Sequence, residues 1–341
     1  MHWYESKESN KGAVVSSRVR LARNVKEFPF PRKVGNQQAS DLVEHVLKAV
    51  EDGRERIGSL MFLEMSELPD VVKISMLERH TLSQQMIQSQ LRCGVLVSAD
   101  DSLAILVNEE DHIRIQSFRA GSDIDAAFAV ADSVDDTLED TLDYAYSDRH
   151  GYLTSCPTNT GTGLRASYMV HLPMLERYNQ LRRIVPLLMH FGMTIRGMFG
   201  EGSESLGSFY QISNQKTLGE PEEEIIRNLK RITRSIIERE DEIIKKLAGS
   251  TTERYGLLDE VHRAYGVLTN CRQISSKEAM SLLSSVRMGY SAGLLDAPEP
   301  SSSLLSIMMN IREANIKLYA EANDDESRKI ARSEYLRSVF K

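Results

Sequence analysis

The hydrophobic pattern of this 341-residue chain changes character at the segment 249–252. Before this segment, short apolar runs of strand length alternate with longer runs at helical spacing, whereas every recognisable element after it is helical. Strands mixed with helices, followed by helices alone, favour an α+β domain and then an all-α domain. We therefore expect one domain at 1–248 and a second, helical domain at 249–341.

The apolar spacing in the first domain predicts helices and strands in turn. The predicted helices are 37–52, 68–92, 124–145, 175–189 and 221–247. The predicted strands are 60–64, 95–97, 103–107, the second half of 108–117, 168–173, 193–199 and 208–213. This order is that of an α+β domain.

The composition narrows the possible function classes. The formal net charge is -7, which disfavours a general nucleic-acid-binding surface. No run of about 18 apolar residues predicts a membrane span, and the first residues do not resemble a signal peptide. Three widely separated cysteines, Cys93, Cys156 and Cys271, suggest reduced thiols and a cytoplasmic location. Because neither a CxxC pair nor an HExxH motif is present, we expect no metal site made by protein ligands.

Arginines occur at strand-like positions along the first domain. Arg18 and Arg20 alternate with apolar residues, so an extended segment places both side chains on one face. Arg114, Arg165 and Arg196 occupy similar positions further on. An arginine pair on its own is more often a solvated sheet edge. Several arginines that converge on one site would suit the phosphates of a nucleotide.

Three polar segments accompany these arginines. The segment 155–167 places Cys156 and two glycines in a loop that leads into a buried strand, and the loop suits anion binding or is simply a connection. The segment 108–112 is an acidic corner, either a solvated turn or a carboxylate pair that orients a cationic substrate. The segment 200–207 combines glycines and acids, which fits a mobile lid and a flexible hairpin loop about equally well.

Taken in order, these motifs resemble the catalytic domain of the guanidino (phosphagen) kinases. The matching stretches are SSRVR at 16–20, NEEDH at 108–112, CPTN at 156–159, GT at 161–162, RAS at 165–167, RG at 196–197, GE at 200–201, ES at 204–205 and ISN at 212–214. The resemblance covers roughly residues 10 to 248. It implies a curved, mainly antiparallel sheet flanked by helices. It also implies transfer of the γ-phosphoryl group of ATP, with Mg²⁺, to a guanidinium nitrogen.

The resemblance also implies a role for particular residues. The expected ATP phosphate-binding residues are Arg18, Arg20, Arg114, Arg165 and Arg196. Glu110 and Glu201 match the two carboxylates that hold the substrate guanidinium, and Cys156 matches the thiol beside it. We expect Glu201→Ala to abolish phosphorylation and leave ATP binding nearly intact. Met169 stands where small-molecule kinases often have a histidine that contacts the nucleotide.

Two departures from the small-molecule enzymes point to the bacterial protein arginine kinases. The SSRVR motif lies almost at the start of the chain, without a preceding helical domain, and an extra helical domain follows instead. The resemblance then implies protein substrates, regulated proteolysis in the stress response, and McsA, CtsR and ClpC as partners. It also implies phosphoarginine binding by Arg328 and Arg332, although Lys329 and Ser333 depart from the RDxxRA pattern.

Other readings of the chain stay open at this point. The enzyme could phosphorylate free arginine or another small guanidino compound instead of proteins. The chain could also be an inactive scaffold that binds phosphoarginine proteins, although the glutamates, the thiol and the five arginines are all present. A homodimer is compatible with the sequence, and the preferred protein targets cannot be inferred from it.

Overall fold

The computed structural model describes residues 1–197, 206–248 and 251–340. The strands are β1 (Val14–Arg23), β2 (Leu60–Glu64), β3 (Gly94–Ser98), β4 (Leu103–Val107), β5 (Ile113–Ala120), β6 (Tyr146–Ser147), β7 (Gly151–Tyr152), β8 (Leu164–His171), β9 (Met193–Gly197) and β10 (Phe209–Asn214). The helices before residue 249 are α1 (Asn36–Asp52), α2 (Arg54–Ile57), α3 (Asp70–Glu78), α4 (Gln84–Ile87), α5 (Ile124–Glu139), α6 (Pro173–Arg177), α7 (Leu181–His190) and α8 (Glu222–Ala248). The later helices are α9 (Thr251–Asn270), α10 (Ser276–Ser291), α11 (Leu304–Asn310), α12 (Glu313–Ala320) and α13 (Asp325–Val339).

Eight strands form one antiparallel sheet in the order β2-β3-β4-β5-β1-β8-β10-β9. The first strand of the chain, β1, therefore lies inside the sheet, between β5 and β8. The expected mainly antiparallel α+β architecture is confirmed. None of the helices in the described ranges combines the length and hydropathy needed to cross a lipid bilayer.

The two faces of the central strands have opposite chemical character. On one face, Val19 and Leu21 of β1 pack with apolar residues of β5 and β8 and with helices α1, α5 and α8. Because side chains alternate along a strand, Arg18 and Arg20 project from the other face. Burial of the apolar face thus fixes the register that presents the arginines.

The helices after residue 250 form a second core with residues of the large sheet. Phe118 of β5 and Phe209 of β10 pack among the apolar side chains of α9, α10 and α11. His171 stacks on Phe209 at 4.6 Å, and its Nε2 atom lies 2.8 Å from the Ser284 hydroxyl on α10. Met169 also contacts this core. The C-terminal helices therefore cover one end of the face that carries the arginines.

Three predicted helices are shorter than the apolar spacing suggested. The segment 68–92 contains only α3 and α4, because His80 adopts a left-handed conformation and the following backbone N–H groups turn back to the Met76 carbonyl. The segment 175–189 is divided by left-handed Asn179. Helix α5 ends at Glu139, and the predicted remainder contributes Tyr144 to a bridge with Val25.

Candidate active site

Strand register places the predicted phosphate-binding arginines on one face of the sheet. Arg20 of β1 lies opposite Arg165 of β8 and opposite Gln116 of β5. Arg114 is two residues from Gln116 and therefore shares its face. Arg196 of β9 joins the same face, because it pairs with Gln211, which in turn pairs with Met169 of β8.

These side chains surround a cleft of about 540 Å³. The lining residues are Arg20, Ala22, Glu110, Arg114, Cys156, Thr158, Asn159, Gly163, Arg165, Arg196 and Gln215. Six of the residues selected from the sequence thus meet at one place, although they come from separate parts of the chain. Within the described ranges, no group of three or more His, Cys, Asp or Glu side chains is arranged to hold a metal ion.

The arginines of the cleft are buried close to one another. Burial, together with repulsion from Arg18, Arg114 and Arg165, lowers the pKa of Arg20 well below its usual value. Burial and the nearby Arg196 and Arg114 also lower the pKa of Arg165. In the part of the chain that the structure describes, the Nε atom of Arg20 has no hydrogen-bond partner. The cluster therefore offers donors and positive charge to an anion of high charge.

Arg18 lies on the same face but does not line the cleft. One guanidinium NH₂ group donates to the His80 carbonyl at 3.4 Å and contacts the Gln116 side-chain oxygen. The guanidinium also lies 5.0 Å from the centre of the Phe118 ring. Burial, with repulsion from Arg114, lowers the pKa of Arg18 to about 9. In this geometry Arg18 supports the back of the arginine cluster.

The acidic corner is the turn between β4 and β5. Left-handed Asn108 opens this turn, and its side-chain amide donates to the carbonyls of Ala39 and Arg92. Arg114 donates to Glu109 at 2.8 Å and to Glu110 at 3.2 Å. Burial raises the pKa of Glu110, and Glu109 and Asp111 add to this effect while Arg114 opposes it.

The loop with Cys156 is fixed by hydrogen bonds to its neighbours. The Cys156 thiol lies 3.0 Å from the Thr158 hydroxyl. The Thr217 hydroxyl donates to the carbonyls of Thr158 at 3.0 Å and Thr160 at 2.7 Å. Gly161 has φ of +120°, and a Cβ atom there would lie 2.1 Å from the Thr217 carbonyl oxygen, so only glycine fits.

The sequence interpretation missed the contacts by which Asp111, Asn24 and Ser83 hold this site together. Asp111, which is fully buried, accepts hydrogen bonds from the Asn24 side chain and from the backbone N–H of Ser155. Ser83 donates to Glu109 at 2.5 Å. The NEEDH motif contained Asp111 and Glu109, but a motif does not reveal the distant partners of its members.

Glu201 lies outside the described residues, as do residues 200–205 of the segment 200–207 that we interpreted as a lid or hairpin loop. The predicted substrate carboxylates are therefore represented by Glu110 alone. Cys156, the predicted thiol beside the substrate guanidinium, lines the cleft, as does Gly163 of the same loop.

Arg328 and Arg332 lie on α13, in the C-terminal helical region. Both donate to the carboxylate of Glu313, at 2.9 Å from Arg328 and 2.8 Å from Arg332. Arg332 is only 1% exposed and also donates to the carbonyls of Ile311 and Ile274. The two arginines thus converge on one anionic group.

Comparisons with known proteins identify the family to which the chain belongs. The model of the "ATP:guanido phosphotransferase, C-terminal catalytic domain" matches residues 41–243, and the "Protein-arginine kinase McsB C-terminal domain" matches residues 254–341. A protein-arginine kinase of Caldanaerobacter subterraneus subsp. tengcongensis is 40% identical, over 96% of each chain. A protein-arginine kinase of Clostridium acetobutylicum is 36% identical, over 98% of each chain.

Solved structures share the fold. The duplicated taurocyamine kinase of Schistosoma mansoni, with bound transition state analog components, superposes with a TM-score of 0.63 at 25% identity. The match covers 76% of this chain and 39% of that duplicated enzyme. Lombricine kinase superposes with a TM-score of 0.59 at 23% identity, over 71% of this chain and 69% of the other.

The antiparallel sheet and its arginine-lined cleft thus define an ATP:guanido phosphotransferase, an enzyme that takes its phosphoryl group from ATP. Within this family, the chain belongs to the protein-arginine kinases, with the McsB type of C-terminal domain.

Proposed function

We propose that the cleft transfers the γ-phosphoryl group of ATP to the guanidinium group of arginine side chains in proteins. One observation carries the proposal: buried arginines and a carboxylate–thiol pair border the same cleft. The arginine cluster suits a polyphosphate, whereas Glu110 and Cys156 suit a cation. The names of the relatives support protein arginine as the acceptor.

ATP would bind with its phosphates against Arg20, Arg114, Arg165 and Arg196, with Arg18 behind them. This arrangement would neutralise charge on the transferring phosphoryl group and would position that group for attack by the acceptor. Mg²⁺ would enter with ATP, bound mainly by phosphate oxygens, and would supply further neutralisation. The buried arginines fit such a ligand, since Arg20 Nε has no partner among the described residues.

Glu110 is the proposed acceptor of the substrate proton, together with Glu201. A guanidinium is protonated at neutral pH and is a poor nucleophile in that form. As the N–P bond forms and the bond to the β-phosphate oxygen of ADP breaks, one guanidinium proton passes to a carboxylate. The raised pKa of Glu110 makes it a better proton acceptor than an ordinary glutamate. Cys156 would add negative charge beside the cation if it is ionised.

Arg114 binds Glu110 in the structure, so the substrate guanidinium must take its place. Glu109 allows this exchange, because its side chain is almost fully buried and holds Arg114 at the shorter distance of 2.8 Å. Glu110 is more exposed and its contact with Arg114 is longer, at 3.2 Å. We therefore assign Glu109 to Arg114 and Glu110 to the substrate.

The C-terminal region has a separate proposed role. We place the domain boundary near residue 249, with domains at 1–248 and 249–341, because strands occur only before it in the described part of the chain. Arg328 and Arg332 are proposed to bind phosphoarginine, which would replace the Glu313 carboxylate. Family membership supports McsA, CtsR and ClpC as partners, a cytoplasmic location and a role in stress-linked proteolysis, and a homodimer is part of the same proposal.

The proposal is tested by competition between acceptors. Purified enzyme receives γ-labelled ATP, Mg²⁺, a folded protein and free arginine together, and acid-labile phosphate is measured on each acceptor. Label on protein arginines is the expected result, and Glu110→Gln should remove it. Glu67→Gln, which changes an exposed carboxylate outside the cleft, is the matched control.

The same assay separates the alternatives. Label on free arginine alone would make the chain a small-molecule guanidino kinase. ATP binding without transfer to either acceptor would indicate an inactive scaffold. Both outcomes contradict the protein arginine kinase.

A further inference from the structure

The segment that follows α3 contacts the back of the arginine face through three of its residues. Its contacts are His80 carbonyl with Arg18 at 3.4 Å, Thr81 carbonyl with the Gln116 amide at 2.9 Å, and Ser83 hydroxyl with Glu109 at 2.5 Å. Left-handed His80 gives the segment its turn. One short segment, residues 79–83, therefore touches three of the side chains behind the cleft.

Each of these three hydrogen bonds connects the segment to one of the proposed phosphate-binding arginines. The connection is either direct or passes through one intervening side chain. Gln116 is 1% exposed and its side-chain oxygen contacts Arg18. Glu109 receives the Ser83 hydrogen bond and holds Arg114 through the same Oε1 atom. A shift of the segment would therefore change the orientation of Arg18 and Arg114.

The other end of the segment is attached to the C-terminal region by Glu78, the last residue of α3. The Glu78 carboxylate accepts hydrogen bonds from the backbone N–H groups of Ala314 and Asn315 at 3.1 Å and from the Asn315 side chain at 2.9 Å. These groups belong to the first turn of α12. The Ser75 hydroxyl, one turn earlier on α3, adds a 2.6 Å hydrogen bond to the Asn315 side chain.

Glu78 takes the place that a capping side chain normally has. The first N–H groups of a helix lack partners within the helix, and a carboxylate there satisfies them and stabilises the positive end of the helix dipole. The residue at the N-cap of α12, Arg312, makes no side-chain capping hydrogen bond. Glu78 is 8% exposed, so its carboxylate is largely buried where it joins the two helices.

Helix α12 also begins with Glu313, the residue that holds Arg328 and Arg332. One helix start is therefore bound from both sides, by α13 through Glu313 and by α3 through Glu78. Any rearrangement of α12 must alter the Glu78 contact or move α3 with it.

We propose that Glu78 is a positioning residue through which the C-terminal helical region sets the orientation of Arg18 and Arg114 at the ATP site. The inference rests on the proposed function, since it takes these arginines to bind ATP. Glu78 does not touch the cleft, so it acts through the segment 79–83. Loss of the Glu78 carboxylate should weaken ATP binding but leave the catalytic side chains in the cleft.

The test compares Glu78→Gln with Asp70→Asn in the full chain. Both replace a carboxylate of α3 by its amide, but Asp70 is exposed and forms an exposed ion pair with Lys73. Glu78→Gln keeps the side-chain shape and places an N–H₂ group against backbone N–H donors. We expect it to raise the Kd and the KM for ATP about 2- to 30-fold, the range seen for mutations that couple distant sites. Asp70→Asn should leave both unchanged.

The Kd for ATP, measured by calorimetry without acceptor, is the decisive readout. A Kd unchanged in Glu78→Gln would overturn the inference, even if the melting temperature falls, because Glu78 would then serve the fold alone. If Glu78→Gln does not fold, Asn315→Ala replaces it, since it removes one Glu78 contact and the Ser75 contact only. Weaker ATP binding by Asn315→Ala supports the inference, and unchanged binding overturns it.

An Arg20→Met arm separates this inference from the proposed function. If Arg20→Met weakens ATP binding and Glu78→Gln does not, the ATP site stands and the positioning role is wrong. If neither variant affects ATP binding, the cleft is not the ATP site and both proposals are wrong.

Discussion

The Oδ1 atom of Asp111 lies 2.6 Å from the backbone nitrogen of Ser155, and this hydrogen bond joins the acidic corner to the loop that carries Cys156. The same oxygen accepts from the Asn24 side chain at 2.7 Å. Asp111 thus ties together β1, the β4–β5 turn and the Cys156 loop. The distance between Glu110 and Cys156 across the cleft depends on this contact.

Replacing Asp111 by alanine should damage both catalysis and stability. The N–H of Ser155 would lose its acceptor, and the Asn24 amide would keep only its hydrogen bond to the Leu153 carbonyl, at a cost of about 1–3 kcal/mol in the free energy of unfolding. Displacement of the Cys156 loop should lower kcat by up to about 100-fold. Denaturant unfolding and steady-state kinetics measure the two effects. Asp143→Ala, at an exposed pair with Lys26, is the control, and equal behaviour of the two variants would contradict the role of Asp111.

Replacing Arg20 by methionine should stabilise the free protein and weaken ATP binding. Burial and neighbouring arginines disfavour the charged form of Arg20, as its lowered pKa shows, so an apolar side chain removes that repulsion. Loss of charge-assisted hydrogen bonds, each about 1.5–3 kcal/mol, should raise the Kd for ATP about 10- to 100-fold. Thermal unfolding with and without ATP gives both quantities. Arg56→Met, at an exposed pair with Asp140, should change neither, and ATP affinity retained by Arg20→Met would exclude Arg20 from the site.

The pH dependence of phosphoryl transfer should report Glu110. Glu110 must be ionised to accept the proton, and its pKa is raised. As the pH is lowered, the rate should therefore begin to fall at a pH above about 4.3, the ordinary glutamate pKa. The contribution of Glu110 to folding stability depends on pH in the opposite direction from its contribution to the rate. Since the folded pKa exceeds the unfolded one, folding is favoured by this group at low pH, and that contribution is lost as pH rises through the folded pKa. Glu110→Gln should therefore lose activity without losing stability at neutral pH.

Single-turnover rates at saturating ATP, with circular dichroism at each pH, separate titration of the base from acid unfolding. Another group would be the base if the rate fell at the ordinary glutamate pKa. The same conclusion would follow if the pH dependence of the rate were unchanged in a residually active Glu110→Asp enzyme.

Replacing Glu313 by glutamine should increase the affinity for free phosphoarginine. The Glu313 carboxylate occupies both Arg328 and Arg332, so a phosphate group must compete with it. A neutral amide is a weaker competitor for two guanidinium groups. Calorimetric titration with phosphoarginine measures the change, and Glu326→Gln, an exposed carboxylate on α13, is the control. Equal affinity in wild type and Glu313→Gln would place phosphoarginine elsewhere.

The sequence predicted the residues of the cleft better than the contacts that hold them. Arg18 and Arg20 were placed on one face because a strand has a two-residue period, which local sequence reveals. The motif resemblance selected Glu110, Cys156 and the other arginines. The contact between Asp111 and Ser155 could not be predicted, because it depends on how two separate turns approach each other in the folded chain.

The break after α3 was missed for a related reason. Apolar spacing continues through Leu82 and Met86, which both pack in a small core with Cys93 and Val95. The pattern therefore suggests one helix, although His80 is left-handed and the chain turns there. Local periodicity records burial, but it does not record a change in direction between two buried segments.

The inner position of β1 in the sheet has a consequence for synthesis of the protein. Val14–Arg23 emerges from the ribosome well before its two partner strands in the described sheet, Ile113–Ala120 and Leu164–His171. Until then, both edges of β1 expose unpaired backbone groups, which promote aggregation. The face that carries the arginines therefore cannot form before Leu164–His171 has been translated.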